Sequence, residues 1–175
     1  MREHRIQLGG LEKVIRELVR THKIIFTACG TAWHAGIVGE FLMEELAKIP
    51  TEVEYASEFR YRNPIIEDRT VVMAISQSGE TADTLAALRD AQSRGVTTLA
   101  LTNTVNSTAA RECDHAVYIR AGPEIGVAAT KTFSSQLVGC NLLAEELVEG
   151  QRDLRPLIES LRGLPDDVQS ILDSS

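Results

Sequence analysis

The chain has 175 residues, of which 43% are hydrophobic and 25% are charged, a balance typical of a soluble globular domain. This composition excludes disorder, collagen-like repeats and coiled coil as the main architecture. Eighteen Lys and Arg against 25 Asp and Glu give a net charge of −7, so we expect no general electrostatic binding of nucleic acid or of a membrane. An anionic ligand must therefore be held by local contacts.

Short β-branched runs alternate along the chain with longer stretches of helical periodicity, a rhythm that predicts a parallel sheet. In chain order the pattern predicts a helix at Leu11–Thr21, a strand at Lys23–Ala28, a helix at Trp33–Lys48, strands at Glu52–Tyr55 and Thr70–Ile75, a helix at Thr81–Arg94, strands at Thr97–Leu101 and Ala116–Ile119, and helices from about Val127 to Glu149 and at Leu154–Leu172.

Right-handed crossovers and short connections favour a doubly wound α/β domain with three αβα layers and a five-stranded parallel sheet in the order 2-1-3-4-5. We expect residues 1–175 to form one domain, with a leading helix in 1–22, the sheet in 23–150 and a C-terminal helix in 151–175. The helix from Val127 is apolar on more than one face, so either a partner or the C-terminal helix covers it. Trp33 and Phe41 fall at helical spacing and are predicted core residues.

The three cysteines, Cys29, Cys113 and Cys140, are widely spaced and form no CxxC pair or zinc-ligand pattern. An odd number of separate thiols fits a reducing compartment. The sequence shows no signal peptide, and no window approaches the roughly 20 apolar residues of a membrane helix. We therefore expect a cytoplasmic protein with no metal and no cofactor.

Two loops rich in small polar residues follow strands that are neighbours in this sheet. Cys29-Gly30-Thr31 follows the first strand, and Ser76-Gln77-Ser78-Gly79-Glu80-Thr81 follows the third. Both loops are predicted to meet at the topological switch point, where open α/β sheets bind ligands. Hydroxyls at a helix start offer neutral donors beside free backbone N–H groups, which favours a compact phosphate monoester. Neither GxxxxGK[ST] nor GxGxxG is present.

Purely structural roles stay open for the same residues. Ser78 or Thr81 fits a helix cap, and Thr31 fits a cap of the next helix. Gly79 fits turn geometry alone, and Glu80 fits a carboxylate that complements the helix dipole.

A third polar segment lies between the last strand and the long helix. In it, Glu124 is a candidate general base and Lys131 a candidate partner of a phosphate or carbonyl, although structural roles are commoner for both. The histidines at 22, 34 and 115 have no acidic or cysteine partner at a suggestive spacing. We expect surface or core positions for all three.

Four segments carry a family resemblance: CGTAWHAG at 29–36, ASEFRYR at 56–62, SQSGETADTLAALR at 76–89 and AGPEIGVAATKTF at 121–133. In this order they closely resemble the first sugar-isomerase (SIS) lobe of the glucosamine-6-phosphate synthase family, the glutamine:fructose-6-phosphate amidotransferases. SQSGET alone indicates only the broad SIS class, which includes other isomerases and regulators. The second and fourth segments indicate the synthases.

The resemblance implies a flavodoxin-like SIS fold that binds fructose-6-phosphate or glucosamine-6-phosphate. By position, it implies that the phosphate is bound by Ser76, Gln77, Ser78 and Thr81, and that the rest of the sugar pocket is lined by Cys29, Gly30, Thr31 and the backbone at Val127. Ala32 and Ala129 stand where family members often have serine, so we expect the loss of a hydroxyl contact at each and a lower affinity.

The family's whole enzyme also has a glutaminase domain and a second SIS lobe, which carries the catalytic glutamate, lysines and ring-opening histidine. Isomerisation needs a base between C1 and C2 and support for the enediolate, and no counterpart of those motifs occurs in this sequence. We therefore expect one lobe that is inactive alone, with the second lobe, the glutaminase domain and a second copy as partners.

Two other functions stay open. One is a non-enzymatic SIS module that senses a sugar phosphate or forms a dimer interface. The other is a flavodoxin-like flavin or nucleotide binder, which topology alone suggests. The phosphate loop follows the third strand instead of the first, and Trp33 is the one aromatic residue near it, which disfavours the flavin binder.

Overall fold

A computed structural model of the chain describes residues 8–126, 128–148 and 155–174. Its strands are all parallel and form one sheet in the order β2-β1-β3-β4-β5. They are β1 (Lys23–Ala28), β2 (Thr51–Tyr55), β3 (Thr70–Ser76), β4 (Thr97–Thr102) and β5 (His115–Tyr118). The predicted five-stranded, doubly wound α/β fold and its strand order are therefore confirmed.

Helices cover both faces of this sheet. They are α1 (Leu11–Leu18), α2 (Thr31–Leu42, continued by a π-helical turn at Met43–Ala47), α3 (Ala56–Arg62), α4 (Ala82–Ser93), α5 (Thr108–Glu112), α6 (Lys131–Leu147) and α7 (Arg155–Asp173). On one face α1, α2 and α6 pack together, and on the other α4 packs between α3 and α5. This gives the three αβα layers.

The central strand β3 shows why the sheet is buried on both sides. All seven of its residues are buried, as a parallel strand between two helical layers requires. Met73 and Ile75 join the core beneath α2 and α6, whereas Val72 packs with α3 and α4, and Ala74 with α4 and α5. Period-2 alternation thus sends neighbouring side chains into different cores.

One expectation about the helices is corrected, two short helices were not predicted, and two predicted helix ends cannot be compared. The long helix begins at Lys131 instead of Val127, because Ala128–Thr130 are not helical and a loop carboxylate meets the helix at Lys131. The short helices α3 and α5 escape the periodicity analysis because each buries too few apolar side chains to repeat a pattern. The predicted helix ends at Glu149 and Leu154 lie outside the described residues.

Phe41 is not a core residue, since 66% of its surface is exposed. It lies on the outer side of α2, whose inner side is made of small residues such as Ala35 and Gly39. Trp33 is half-buried and packs against the main core. The helix α6 packs against α1, α2 and the π-helical turn, whereas the described side chains of α7 are mostly exposed.

Within the described residues, no helix combines the length and the apolar character that crossing a bilayer requires.

Candidate functional site

The carboxyl ends of three adjacent strands bring the predicted loops together. Ala28 at the end of β1 pairs with Ile75, and Ser76 at the end of β3 pairs with Thr102 of β4. The loops that begin at Cys29, Gln77 and Asn103 therefore leave the sheet side by side. This confirms the prediction that the first two loops meet at the switch point.

The SQSGET loop (residues 76–81) folds its serine side chains onto its own backbone. The Ser76 Oγ accepts a hydrogen bond from the Gly79 N–H at 3.0 Å, and the Ser78 Oγ accepts one from the Glu80 N–H at 3.1 Å. A hydroxyl that accepts in this way still carries its own proton to donate. The loop therefore presents hydroxyl donors at fixed positions to an acceptor such as a phosphate oxygen.

Gly79 lets this loop lie tightly against the connection between β4 and α5. Its φ of +67° belongs to the left-handed region, and a Cβ there would lie 2.2 Å from the Ser107 Oγ. The Gly79 carbonyl accepts a hydrogen bond from Ala109 N–H at 2.9 Å, and the Gln77 carbonyl accepts one from Asn103 N–H at 3.2 Å. Glycine is thus required both for the turn and for the close approach.

The start of α4 carries no cap from the predicted candidates. Thr81 is the N-cap residue and has extended backbone angles, but its side chain makes no capping hydrogen bond, and Ser78 binds Glu80 instead. Backbone N–H groups in the first turn of a helix have no intrahelical partner, and they carry the positive end of the helix dipole. The helix start next to the SQSGET loop is therefore suited to an anion.

Glu80 acts on a different helix from the one expected. Its carboxylate accepts a hydrogen bond from Thr108 N–H at 2.7 Å, at the first residue of α5. This bond lowers the pKa of Glu80 below its ordinary value. The carboxylate therefore steadies the α5 terminus and is not placed as a complement to the α4 dipole.

The loop after β1 leaves its backbone accessible. Gly30 is the N-cap of α2, with φ of 61°, and α2 begins at Thr31 without a side-chain capping bond. A Cβ added at Gly30 would meet nothing within 4 Å. Cys29 and Thr31 are half-buried beside it. Thr31 is thus not the cap of α2, and open space lies above the backbone of this loop.

Glu124 is committed to the start of α6. Its carboxylate accepts hydrogen bonds from the N–H groups of Thr130 and Lys131, both at 3.1 Å, from Thr132 N–H at 3.3 Å, and from the Thr132 hydroxyl. The hydroxyl bond is the main cause of a pKa below the ordinary value for Glu124. A carboxylate held in this way is a helix cap and a poor general base.

Asn103 is a site residue that sequence reasoning missed. Its Nδ2 donates to the Gly122 carbonyl at 2.8 Å, and its Oδ1 accepts from the Ala121 N–H at 2.7 Å. The residue follows β4 directly, and its own N–H binds Gln77. A polar residue at the carboxyl end of a strand next to the switch point was the available signal.

The remaining candidates are placed as follows. Val127 lies outside the described residues, while Ala32 is buried and Ala129 is half-buried. Tyr55, which sequence reasoning overlooked, stacks on Trp33 with ring centroids 4.3 Å apart and planes 12° apart. In the described part of the chain, no group of three or more His, Cys, Asp or Glu side chains is arranged to hold a metal ion.

A five-stranded parallel sheet with hydroxyl-rich loops at its switch point is the architecture of a known class of domain. The chain belongs to the SIS domain family, whose model matches residues 17–146.

Several proteins of high sequence identity to this chain share one name. Glutamine--fructose-6-phosphate aminotransferase [isomerizing] of Chlorobaculum tepidum is 48% identical over 177 residues, which cover 99% of this chain and 29% of the relative. The protein of that name from Symbiobacterium thermophilum is 50% identical over 161 residues, with 89% and 26% covered. The chain thus spans less than a third of the length of these relatives.

A solved structure shows the same relationship. The C-terminal domain of glucosamine-fructose-6-phosphate aminotransferase from Francisella tularensis matches with a TM-score of 0.87 and 35% identity, covering 99% of this chain and 50% of that one. The resemblance carried by the four sequence segments is therefore confirmed.

Proposed function

We propose that this chain is a sugar-phosphate-binding SIS lobe whose ligand is a hexose 6-phosphate, either fructose-6-phosphate or glucosamine-6-phosphate. The observation that carries the proposal is the SQSGET loop, where the Ser76 and Ser78 hydroxyls accept from their own backbone beside the start of α4. The names of the relatives, which include fructose-6-phosphate, support the choice of ligand.

The two ends of the ligand have different surroundings in this proposal. The phosphate binds at the SQSGET loop, and the sugar extends over the loop after β1, where the space above Gly30 is open. The phosphate ligands are Ser76, Gln77, Ser78 and Thr81, and the sugar contacts are Cys29, Gly30, Thr31 and the backbone at Val127. Hydroxyl and amide donors with a helix dipole bind a phosphate monoester without a basic side chain.

Binding by these residues does not itself accelerate a reaction. Phosphate contacts stabilise the ground state and the transition state alike, so they anchor a substrate without lowering its barrier. In this proposal the conversion of fructose-6-phosphate and glutamine-derived ammonia into glucosamine-6-phosphate needs a second SIS lobe and a glutaminase domain as partners. A homodimer and a cytoplasmic location complete the proposal. The shared name of the relatives favours this role over a sensor without enzymatic partners.

The proposal is tested by titrating the folded chain with fructose-6-phosphate and following the amide resonances of residues 76–81. We expect a Kd on the order of 1 mM, or about −4 kcal/mol. Ser76→Ala removes the hydroxyl of a residue that is 4% exposed and whose Oγ accepts a hydrogen bond from the Gly79 N–H. Its loss should weaken binding by about tenfold or more, since a hydrogen bond to a charged group contributes about 1.5–3 kcal/mol and 1.4 kcal/mol corresponds to a factor of ten.

Ser93→Ala is the matched control, because Ser93 lies at the far end of α4 and its hydroxyl donates to Asp90 of the same helix. This variant should bind as the wild type does. A folded wild-type sample whose resonances do not move at tens of millimolar ligand would refute the proposed function.

A further inference from the structure

The segment between β5 and α6 is anchored at both ends by polar side chains. We define the β5–α6 segment as Ala121–Gly126, which has neither helical nor strand structure. Its residues bury little apolar surface: Gly122 and Pro123 are exposed, and Ile125 is 99% exposed. Hydrophobic packing is therefore too small to fix this segment, and hydrogen bonds must do so.

Asn103 anchors the beginning of the segment. Both atoms of its amide group are used, one on the Ala121 N–H and the other on the Gly122 carbonyl. Its backbone N–H binds the Gln77 carbonyl, and the hydroxyl of the next residue, Thr104, lies 3.4 Å from the same oxygen. One residue thus ties the β5–α6 segment to the SQSGET loop.

Glu124 anchors the other part of the segment to a rigid helix. Its carboxylate spans three successive N–H groups of the α6 start and the Thr132 hydroxyl, which belongs to a residue with no exposed surface. Because Glu124 lies two residues after Gly122, the two anchors leave the segment little freedom to move away from the SQSGET loop.

We propose that Asn103 and Glu124 are positioning residues that hold the β5–α6 segment as a wall against the sugar part of the ligand, and that they thereby set the preference for a sugar phosphate over inorganic phosphate. This inference rests on the proposed function. Neither side chain reaches the ligand itself, because the polar atoms of both are committed to the protein backbone and Thr132. Their effect passes through the placement of Ala121–Gly126.

The inference predicts a split between two affinities. Loss of either anchor loosens the wall that meets the sugar, whereas the SQSGET loop keeps the Ser76–Gly79 and Ser78–Glu80 bonds that shape the phosphate site. Binding of fructose-6-phosphate should therefore weaken, and binding of inorganic phosphate at the same loop should not. A general loss of stability would weaken both ligands together.

The experiment measures the Kd of fructose-6-phosphate and of inorganic phosphate from the amide shifts of residues 76–81 in the 175-residue chain. Wild type should bind the sugar phosphate more tightly. In Asn103→Ala and Glu124→Ala, the Kd for fructose-6-phosphate should rise about tenfold while the Kd for inorganic phosphate stays within about twofold. Glu124→Gln keeps an acceptor oxygen, and Asn103→Asp keeps the acceptor for Ala121, so both should fall between these values and the wild type.

Glu44→Gln is the matched control. The Glu44 carboxylate also accepts a backbone N–H, that of Thr51 at 3.2 Å, but it does so at the amino-terminal end of β2. This variant should leave both Kd values unchanged. If an alanine variant does not fold, the two Kd values are compared in the corresponding conservative variant, Glu124→Gln or Asn103→Asp.

The outcomes separate the two proposals. If wild type binds neither ligand, the proposed function fails and this inference fails with it. If wild type prefers the sugar phosphate but folded variants keep the same ratio of Kd values, the positioning role is wrong and the proposed function stands. Equal weakening of both ligands, or a wild type without preference, also overturns the positioning role.

Discussion

Two long helices, α4 and α6, begin at the same edge of the sheet, yet their N-termini are capped differently. The α6 start is filled by the Glu124 carboxylate, which takes three backbone N–H groups and the Thr132 hydroxyl. The α4 start has no side-chain capping bond from its N-cap residue, Thr81. Asp83 lies in the first turn of α4, but no side chain caps the backbone N–H groups from the N-cap position. The protein thus binds its own carboxylate to the N–H groups of one helix start and leaves those of the other without a side-chain cap.

This difference indicates how a site for one phosphate is specified without a basic side chain. Each helix dipole at this edge attracts an anion, and Glu124 neutralises that of α6. The start of α2 also lacks a side-chain cap, so an uncapped helix start does not by itself select the site. The serine hydroxyls of the SQSGET loop add donors beside α4, and they favour the loop after β3 for the phosphate.

The largest expected effect comes from Gly79, which shapes the SQSGET loop beside the start of α4. Gly79→Ala forces a Cβ to within 2.2 Å of the Ser107 Oγ at a φ of +67°. We expect the free energy of unfolding to fall by about 3 kcal/mol or more, since overpacking adds to the left-handed strain. Binding of fructose-6-phosphate should be lost with the loop geometry. Urea denaturation and the amide titration measure the two effects.

Gly95→Ala separates strain from the close approach. Gly95 has a φ of +75°, but a Cβ there would meet nothing within 4 Å. Gly95→Ala should therefore lower the free energy of unfolding by only about 1–2 kcal/mol, which is the strain of a left-handed residue. Equal losses in the two variants would show that packing against Ser107 does not set the SQSGET loop.

The strand order and the meeting of the loops could be predicted because both follow from local patterns and general rules. Near-continuous apolar runs such as KIIFTA and TVVMAI predict strands buried on both faces. Right-handed crossovers then leave few orders for such strands, and the order 2-1-3-4-5 puts the ends of β1 and β3 together. These steps need no knowledge of individual side-chain contacts.

The partners of the polar side chains could not be predicted, because their contacts join residues far apart in sequence. Helix-capping rules connect a cap to the next two or three residues, whereas Glu124 reaches residues six to eight positions away. Glu80 binds Thr108, 28 positions away, and Asn103 binds Gly122, 19 positions away. Such contacts depend on how the loops pack after the sheet has formed.

Removing Glu124 should make the backbone N–H groups at the α6 start available to an external anion, as those at the α4 start are. Glu124→Ala frees the N–H groups of Thr130, Lys131 and Thr132, so inorganic phosphate should shift their amide resonances with a Kd of about 10–100 mM. In wild type the same resonances should not move. Glu124→Gln retains an acceptor at the α6 start and should respond less than the alanine variant. If inorganic phosphate does not shift these amide resonances in Glu124→Ala, the carboxylate is not what prevents phosphate from binding at the α6 start.

The smallest effect is the pH dependence of stability that Glu124 contributes. The Thr132 hydroxyl and the backbone N–H groups lower the pKa of Glu124 in the folded chain. A carboxyl with a lowered folded pKa stabilises above its unfolded pKa, about 4.3, and this stabilisation is lost as pH falls through the folded value. The Tm difference between wild type and Glu124→Gln should therefore be largest near neutral pH and shrink in acid.

Glu145 provides a control of opposite sign on the same helix. It is 4% exposed, and burial raises its pKa. Its ionised form therefore destabilises the fold at neutral pH, and that cost disappears as pH falls through the raised value. Glu145→Gln should be more stable than wild type at neutral pH, whereas Glu124→Gln should be less stable, and both differences should fade in acid. Differences of the same sign at neutral pH would show that the α6 start gains nothing from its own carboxylate.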